Sequence, residues 1–232
     1  VGSHGCPDHI FPNWFATFQD KSMQIFSMKA LNRRAEKIPS MIKNLETKYK
    51  LVDNLTPYEE KGIFLESTSS MVFDRVNMIA YIGKSVRTNE SLAREWCSKN
   101  GFEIVIFETT SHRNNPIYHT DVLMFVGTDM IGLCDEVIND DYKEEVLSRA
   151  QKYHDVMLLT KDQILDFCGN ALEVRNNKDE KYLIMSSRAQ KSLTSSQMVK
   201  IEKYYKDIIH ADISTIEKYG GGSARCMLTE LF

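Results

Sequence analysis

The sequence has no C-x-x-C pair, and its five cysteines (Cys6, Cys97, Cys134, Cys168 and Cys226) are an odd number spread widely along 232 residues. That argues against a disulfide framework and against a thiolate zinc site, and it fits a reducing, cytoplasmic setting. The six histidines are scattered, with neither H-E-x-x-H nor H-x-x-x-H among them, so no metal is expected. No Walker loop and no G-x-G-x-x-G opens a helix. The one glycine run, Gly220–Gly222, precedes a strand-like segment rather than a helix, so neither a phosphate cradle nor a cofactor is expected. Charge bias is lacking too: a net charge of -3 offers no basic face for nucleic acid and no acidic tail. No apolar run approaches the roughly 18 residues that span a bilayer, and the N-terminus lacks the apolar stretch of a secretory signal. The expectation is a soluble cytoplasmic protein without nucleic-acid or membrane partners; homo-oligomerisation is left open.

What is present is ordinary globular composition, 42% hydrophobic and 26% charged, over a length that supports a sizeable core. Cys97, Cys134 and Cys168 lie in or beside apolar segments and read as small buried hydrophobes. The main organising signal is an internal repeat. Met71–Asp74 and Met78–Ile82 are β-prone, Glu90–Ser98 is amphipathic, and Phe102–Phe107 alternates apolar and polar residues. The order recurs as Val122–Val126, Met130–Cys134, a charged helix over Tyr142–Tyr153, and Val156–Leu159. It recurs again as Leu172–Val174, Tyr182–Met185, a helix near Ser195–Tyr205, and Asp207–Ile213. The opening segment fits more loosely, with His9–Ala16, Met23–Phe26, a basic helix from Asn32 to Tyr49, and Lys50–Leu55. Strands and helices in this alternation predict an α/β protein of ββαβ modules. The Arg33–Arg34 pair reads as part of a solvated helix face.

Each module begins with one polar or reactive side chain ahead of its first apolar strand: Asp8, Glu66, His119, Asn170 and Cys226, spaced 51 to 58 positions apart. Polar residues commonly precede strands, because loops do. That habit does not account for a set comprising a thiol, an imidazole and two carboxylates. If equivalent points of a circular repeat face one axis, these groups meet, and closure of the ring protects strand edges.

At this point the sequence resembles the amidinotransferase and arginine deiminase superfamily, the penteins. The resemblance lies in Pro7–Trp14 (PDHIFPNW), Phe64–Asp74 (FLESTSSMVFD), Ser85–Glu90 (SVRTNE) and Ile117–Val122 (IYHTDV). It continues through Phe167–Glu173 (FCGNALE), Met185–Leu193 (MSSRAQKSL) and Asp212–Phe232, whose GGGSARCML is the most specific part. The branch it is most similar to is the citrulline-utilisation hydrolase group. Two departures stand out: one Asn13 where that group has a pair, and Ser67 and Ser69 where it has glycines, which fit positive φ more readily. The resemblance implies a pseudo-five-fold propeller of ββαβ modules in a single domain over residues 1–232.

It also implies a chemistry, which the residue types support. A guanidinium or ureido carbon is a poor electrophile, so its attack needs a thiolate, here Cys226. His119 would act as general acid and base, a task suited to an unperturbed pKa near ~6.5. Asp121 follows at H-x-D spacing, which on an extended strand puts both side chains on one face. Asp8 and Glu66 would clamp the substrate nitrogens through bidentate, charge-assisted hydrogen bonds. Arg87 resembles the deiminase arginine that binds a substrate carboxylate, and Asn170 is expected in a structural or ligand-positioning role. The reaction expected is hydrolysis of a C–N bond in arginine, citrulline or a close derivative. An amidinotransferase with an amine acceptor, or a non-catalytic binding module of the same fold, are the alternatives. Four modules are complete, and the fifth is represented only by a strand expected around Cys226. Thirteen residues remain outside the span from Asp8 to Cys226, where a module needs roughly 50 to 60. The sequence therefore predicts an N-terminally truncated form of a protein of roughly 300 residues.

Overall fold

The computed structural model describes residues 5–232. Four three-stranded sheets are present among them, each built the same way. The first has β1 (Phe15–Thr17), β2 (Ser22–Ile25) and β3 (Lys50–Asn54), with α1 (Leu31–Arg34) and α2 (Pro39–Glu46) between β2 and β3. The second follows α3 (Ser67–Ser70), with β4 (Met71–Asp74), β5 (Ile79–Gly83), α4 (Glu90–Asn100) and β6 (Glu103–Phe107). In the third are β7 (Met124–Val126), β8 (Met130–Leu133), α5 (Asp140–Gln151) and β9 (Asp155–Leu158), followed by α6 (Lys161–Leu165). The fourth has β10 (Leu172–Arg175), β11 (Lys181–Ser186), α7 (Ser187–Ser192), α8 (Ser195–Glu202) and β12 (Asp207–Ala211); α9 (Ser214–Gly220) comes after it.

In every module the first two strands form an antiparallel hairpin and the third returns parallel to the second. The parallel pairing needs a crossover, which the intervening helices supply. The central strands carry the core. Every residue of β2, β5 and β8 is buried; β5 and β8 accordingly read as apolar runs, whereas β2 alternates and buries the polar Ser22 and Gln24 as well. The α4 helix opens on Asn89, whose side chain accepts from Leu92 N, and buries Leu92, Ala93, Trp96 and Cys97. Cys97, Cys134 and Cys168 are all buried. Trp96 stacks on Phe73 and Phe102.

The repeat thus predicts the module order, with local corrections. The basic helix expected over Asn32–Tyr49 is two short helices. Pro39 sits at the start of α2, and a residue before proline is pushed out of the helical region; Ile38 is extended, at φ -71° and ψ 126°. Of the strand expected over His9–Ala16 only β1 forms, because residues 6–13 are taken up in tight turns such as Phe11 N to Asp8 O. Cys226 lies not on a strand but in a 3-10 turn over Arg225–Met227. Among the described residues no helix is long and apolar enough to cross a membrane.

Candidate active site

The segments leading into the modules converge. Asp8, Phe11, Asn13, Arg33, Arg87, Tyr118, His119, Gly220–Gly222 and Cys226 line one cavity of about 210 Å³. Three further residues named by the sequence, Glu66, Asp121 and Asn170, are buried and stand behind that wall rather than in it.

Glu66 is the partner of His119. Its Oε2 lies 2.7 Å from His119 Nε2 and 3.4 Å from Arg87 Nη1, while Oε1 accepts from Lys29 N at 2.9 Å. Burial alone pushes the Glu66 carboxyl up. The hydrogen bond and charge of His119, with Arg87 and the Lys29 amide, more than reverse this and bring it down to about 2. An ionised carboxylate only accepts, so Nε2 of His119 carries a proton. The Glu66 oxygens, expected to clamp substrate, are engaged here by His119, Arg87 and Lys29. Beside it, Ser67 takes a φ of +49°, a geometry that favours glycine. Its hydroxyl donates to Phe15 O at 3.0 Å, a buried hydrogen bond that glycine would lack and that offsets the backbone cost.

Asn170 is the partner of Cys226. Its amide donates to Cys226 Sγ at 3.1 Å and to Asp121 O at 2.9 Å, and its oxygen accepts from Cys226 N at 3.3 Å. The polar atoms of Asn170 thus engage the thiol and the turns that carry Asp121 and Cys226. Gly169 makes the approach possible. A Cβ there would lie 2.4 Å from Val122 O, so only glycine lets module four press against module three. Gly222 is fitted less tightly: a Cβ there would come 3.0 Å from the Phe11 ring and 3.2 Å from Cys226 Cβ, so these side chains would have to give by a few tenths of an ångström.

Asp121 and His119 are both buried, but not as neighbours on a strand. His119 is extended, at φ -137° and ψ 144°, and Asp121 lies in the 3-10 turn Thr120–Val122 that follows. The turn sends them to different partners: His119 to Glu66, and Asp121 Oδ2 to the thiol, which donates to it at 3.4 Å. Burial pushes the Cys226 thiol well above its usual range, and the Asp121 charge adds to this; Ser223 and Asn170 hydrogen bonds only partly offset it. Asp121 is itself raised by burial.

Asp8 stands at the cavity wall and accepts from Asn32 Nδ2 at 3.2 Å. Arg87 lies across the Tyr118 ring at 5.2 Å, and Tyr118 OH donates to Gly221 O at 2.7 Å, tying the His119 segment to the glycine run. Arg33 corrects the sequence reading most. Far from being a solvated helix face, it is 4% exposed and lines the cavity. Tyr118 and Phe11, which also line the cavity, do not stand out in the sequence. The available signals were the adjacency of Tyr118 to His119 and the i,i+3 spacing of Arg33 with Glu36. No group of three or more histidine, cysteine or acidic side chains is placed to hold a metal among the described residues.

The sequence model of the family described as "N,N dimethylarginine dimethylhydrolase, eukaryotic" matches residues 2–232. The chain belongs to the N,N-dimethylarginine dimethylhydrolase family. No curated protein matches it in sequence. Among solved structures it is similar to apo ArgZ, an arginine dihydrolase from cyanobacteria, at TM-score 0.76 and 14% identity. That alignment covers 98% of this chain and 34% of ArgZ, so the chain spans about a third of the relative's length. It is also similar to the N-terminal domain of ArgZ bound to substrate, at TM-score 0.75 and 16% identity, covering 97% of this chain and 76% of that domain. The dimethylarginine dimethylhydrolase of Pseudomonas aeruginosa complexed with citrulline matches at TM-score 0.67 and 16% identity, over 96% and 76% of the two chains. These likenesses establish the pentein-type fold of the dimethylarginine dimethylhydrolase family.

Proposed function

We propose that this family member is a cysteine-dependent hydrolase of a guanidino or ureido group, acting on arginine, citrulline or a close derivative such as an N-methylated arginine. The observation that carries this reading is the single cavity lined by Cys226, His119, Asp8 and Arg87. At about 210 Å³ it falls below the range of drug-sized pockets and suits one amino-acid ligand. The likeness to citrulline-utilisation hydrolases belongs to the same proposal, as does the assignment of residues 1–232 to one domain; residues 1–4 lie outside the described residues.

The roles follow from the contacts. Burial and the Asp121 charge favour the thiol form of Cys226. A guanidinium bound at Asp8 brings positive charge beside it and favours the thiolate; the thiol proton passes to His119 across the cavity, and the thiolate attacks the substrate carbon. His119, oriented and charge-balanced by Glu66, donates a proton to the departing amine and leaves a thiouronium on Sγ. It then takes a proton from water, whose oxygen attacks the same carbon and frees Cys226. Arginine plus water would give citrulline plus ammonia, and an N-methylated arginine would release the corresponding methylamine. Purified protein assayed against arginine, its N-methylated forms and citrulline, with and without glycine, tests this. Amine or ammonia release independent of glycine is the expected result. Amidino transfer to glycine would favour the transferase, and no turnover of any member would favour a binding module.

A further inference from the structure

Arg33 and Glu36 take no part in the chemistry above, yet both are buried, at 4% and 0% exposure. Arg33 Nε lies 2.7 Å from Glu36 Oε1. The other end of the guanidinium donates to Asn13 Oδ1 at 2.5 Å and to the carbonyl of Phe11. Phe11, Asn13 and Arg33 all line the reactive cavity. Asn13 in turn donates to Ser69 Oγ at 3.0 Å, on the helix that begins beside Glu66. Arg33 is therefore a strut between α1, the turn that carries Asp8, and α3.

Glu36 holds the far end of the strut on thin terms. Both carboxylate oxygens are buried and neither has a well-formed hydrogen bond, so the contact with Arg33 is their compensation. A desolvated ion pair of this kind holds only while both charges stand. The charged groups acting on Glu36 are Arg33 from its own segment, Asp8 from the turn before β1, and Glu66 ahead of α3. The two carboxylates oppose its ionisation and Arg33 favours it.

We propose that Glu36 is a positioning residue for the cavity, acting through Arg33. Ionised, it keeps the guanidinium on Phe11 and Asn13 and the cavity wall in place; protonated, it lets the strut slacken. Burial, against the pull of Arg33, raises the Glu36 carboxyl to about 7, so the change falls near neutrality. A cationic ligand at Asp8 cancels one of the charges that oppose Glu36 ionisation. Ligand binding and loss of the Glu36 proton therefore favour each other, by reciprocal linkage. The site would be tightened by the ligand it takes.

The kinetic half of the test rests on the hydrolase reading; the spectroscopic half does not. In protein labelled with 13C at glutamate, one side-chain carboxyl carbon should titrate between pH 6 and 8, be missing from Glu36→Gln, and shift in Arg33→Lys. With the best substrate of the panel, wild-type KM should rise about tenfold from pH 8 to pH 6 with kcat changed less than about twofold. Glu36→Gln should start at the raised KM and stay flat across that range, and Glu36→Asp should restore part of the slope. A titrating Glu36 without turnover of any substrate would overturn the hydrolase reading and leave this one standing. No glutamate titrating between pH 6 and 8, or a Glu36→Gln profile that parallels wild type, would overturn the proposal. If Glu36→Gln does not fold, the wild-type titration and its shift in Arg33→Lys decide the matter.

Discussion

Replacing Glu66 by Gln separates an orienting role for this carboxylate from a clamping one. The amide keeps the shape but presents an NH2 where one oxygen accepted a hydrogen bond, so either His119 Nε2 or Lys29 N is left facing a donor. Losing a hydrogen bond to a charged group costs about 1.5–3 kcal/mol, and relief from burying a charge returns part of it. A net loss of about 2 kcal/mol would lower the melting temperature by about 4–8 °C in a chain of this size. The pH dependence has a definite sign. The carboxyl falls from 4.5 to about 2 on folding, which corresponds to about 3 kcal/mol. A lowered carboxyl contributes stability that is fully present above pH 4.5 and is lost as pH falls toward 2. Melts of both proteins from pH 7 to pH 2.5 should therefore show a gap that is constant at the top of the range and narrows below pH 4.5. Catalysis should lose about 10²–10³ in kcat, with KM changed less than threefold or so, because His119 loses its orientation and counter-charge. A pH-independent stability gap, or a tenfold rise in KM with kcat intact, would refute the orienting role and return Glu66 to the substrate clamp.

Other substitutions test the remaining contacts. His119→Ala should lose far more kcat than Asp121→Asn, since one removes the proton shuttle and the other a neighbour of the thiol; similar small losses in both would count against the pairing. Neutral iodoacetamide should modify Cys226 slowly at pH 7, and faster with each pH step toward 10, because burial and Asp121 keep the group a thiol. A rate plateau near pH 7, followed by mass mapping of the alkylated site, would contradict that. Gly169→Ala should destabilise by about 3 kcal/mol, read in urea unfolding, because its Cβ would meet backbone at 2.4 Å; a loss below about 0.5 kcal/mol would show that the two modules can part without cost.

The sequence announces the modules because the same order of two strands, a helical crossover and a third strand recurs with strand lengths that vary little. It announces the reactive residues because their types are improbable together. What it does not announce is which of them face the cavity. Glu66 and Asn170 stand behind His119 and Cys226, and that depth is set by contacts 53 and 56 residues apart, invisible to any local pattern. The turns at Asp121 and Cys226 are likewise imposed from outside, by Asn170 and by the close approach of Gly169 to Val122. Two arginines followed shortly by lysine have the pattern of a solvated face, which hides the burial of Arg33. Buried Glu36 three residues on, the carbonyl of Phe11 and the side chain of Asn13 turn that side chain inward.

The most direct test is the intact mass of wild type and Cys226→Ser after brief incubation with the substrate best turned over, quenched in acid. The expected result is an added mass on wild type alone, mapping to the peptide that holds Cys226, with Cys226→Ser folded but without turnover. Cys226→Ser turning over at the wild-type rate, with no adduct on either protein, would contradict covalent catalysis at Cys226.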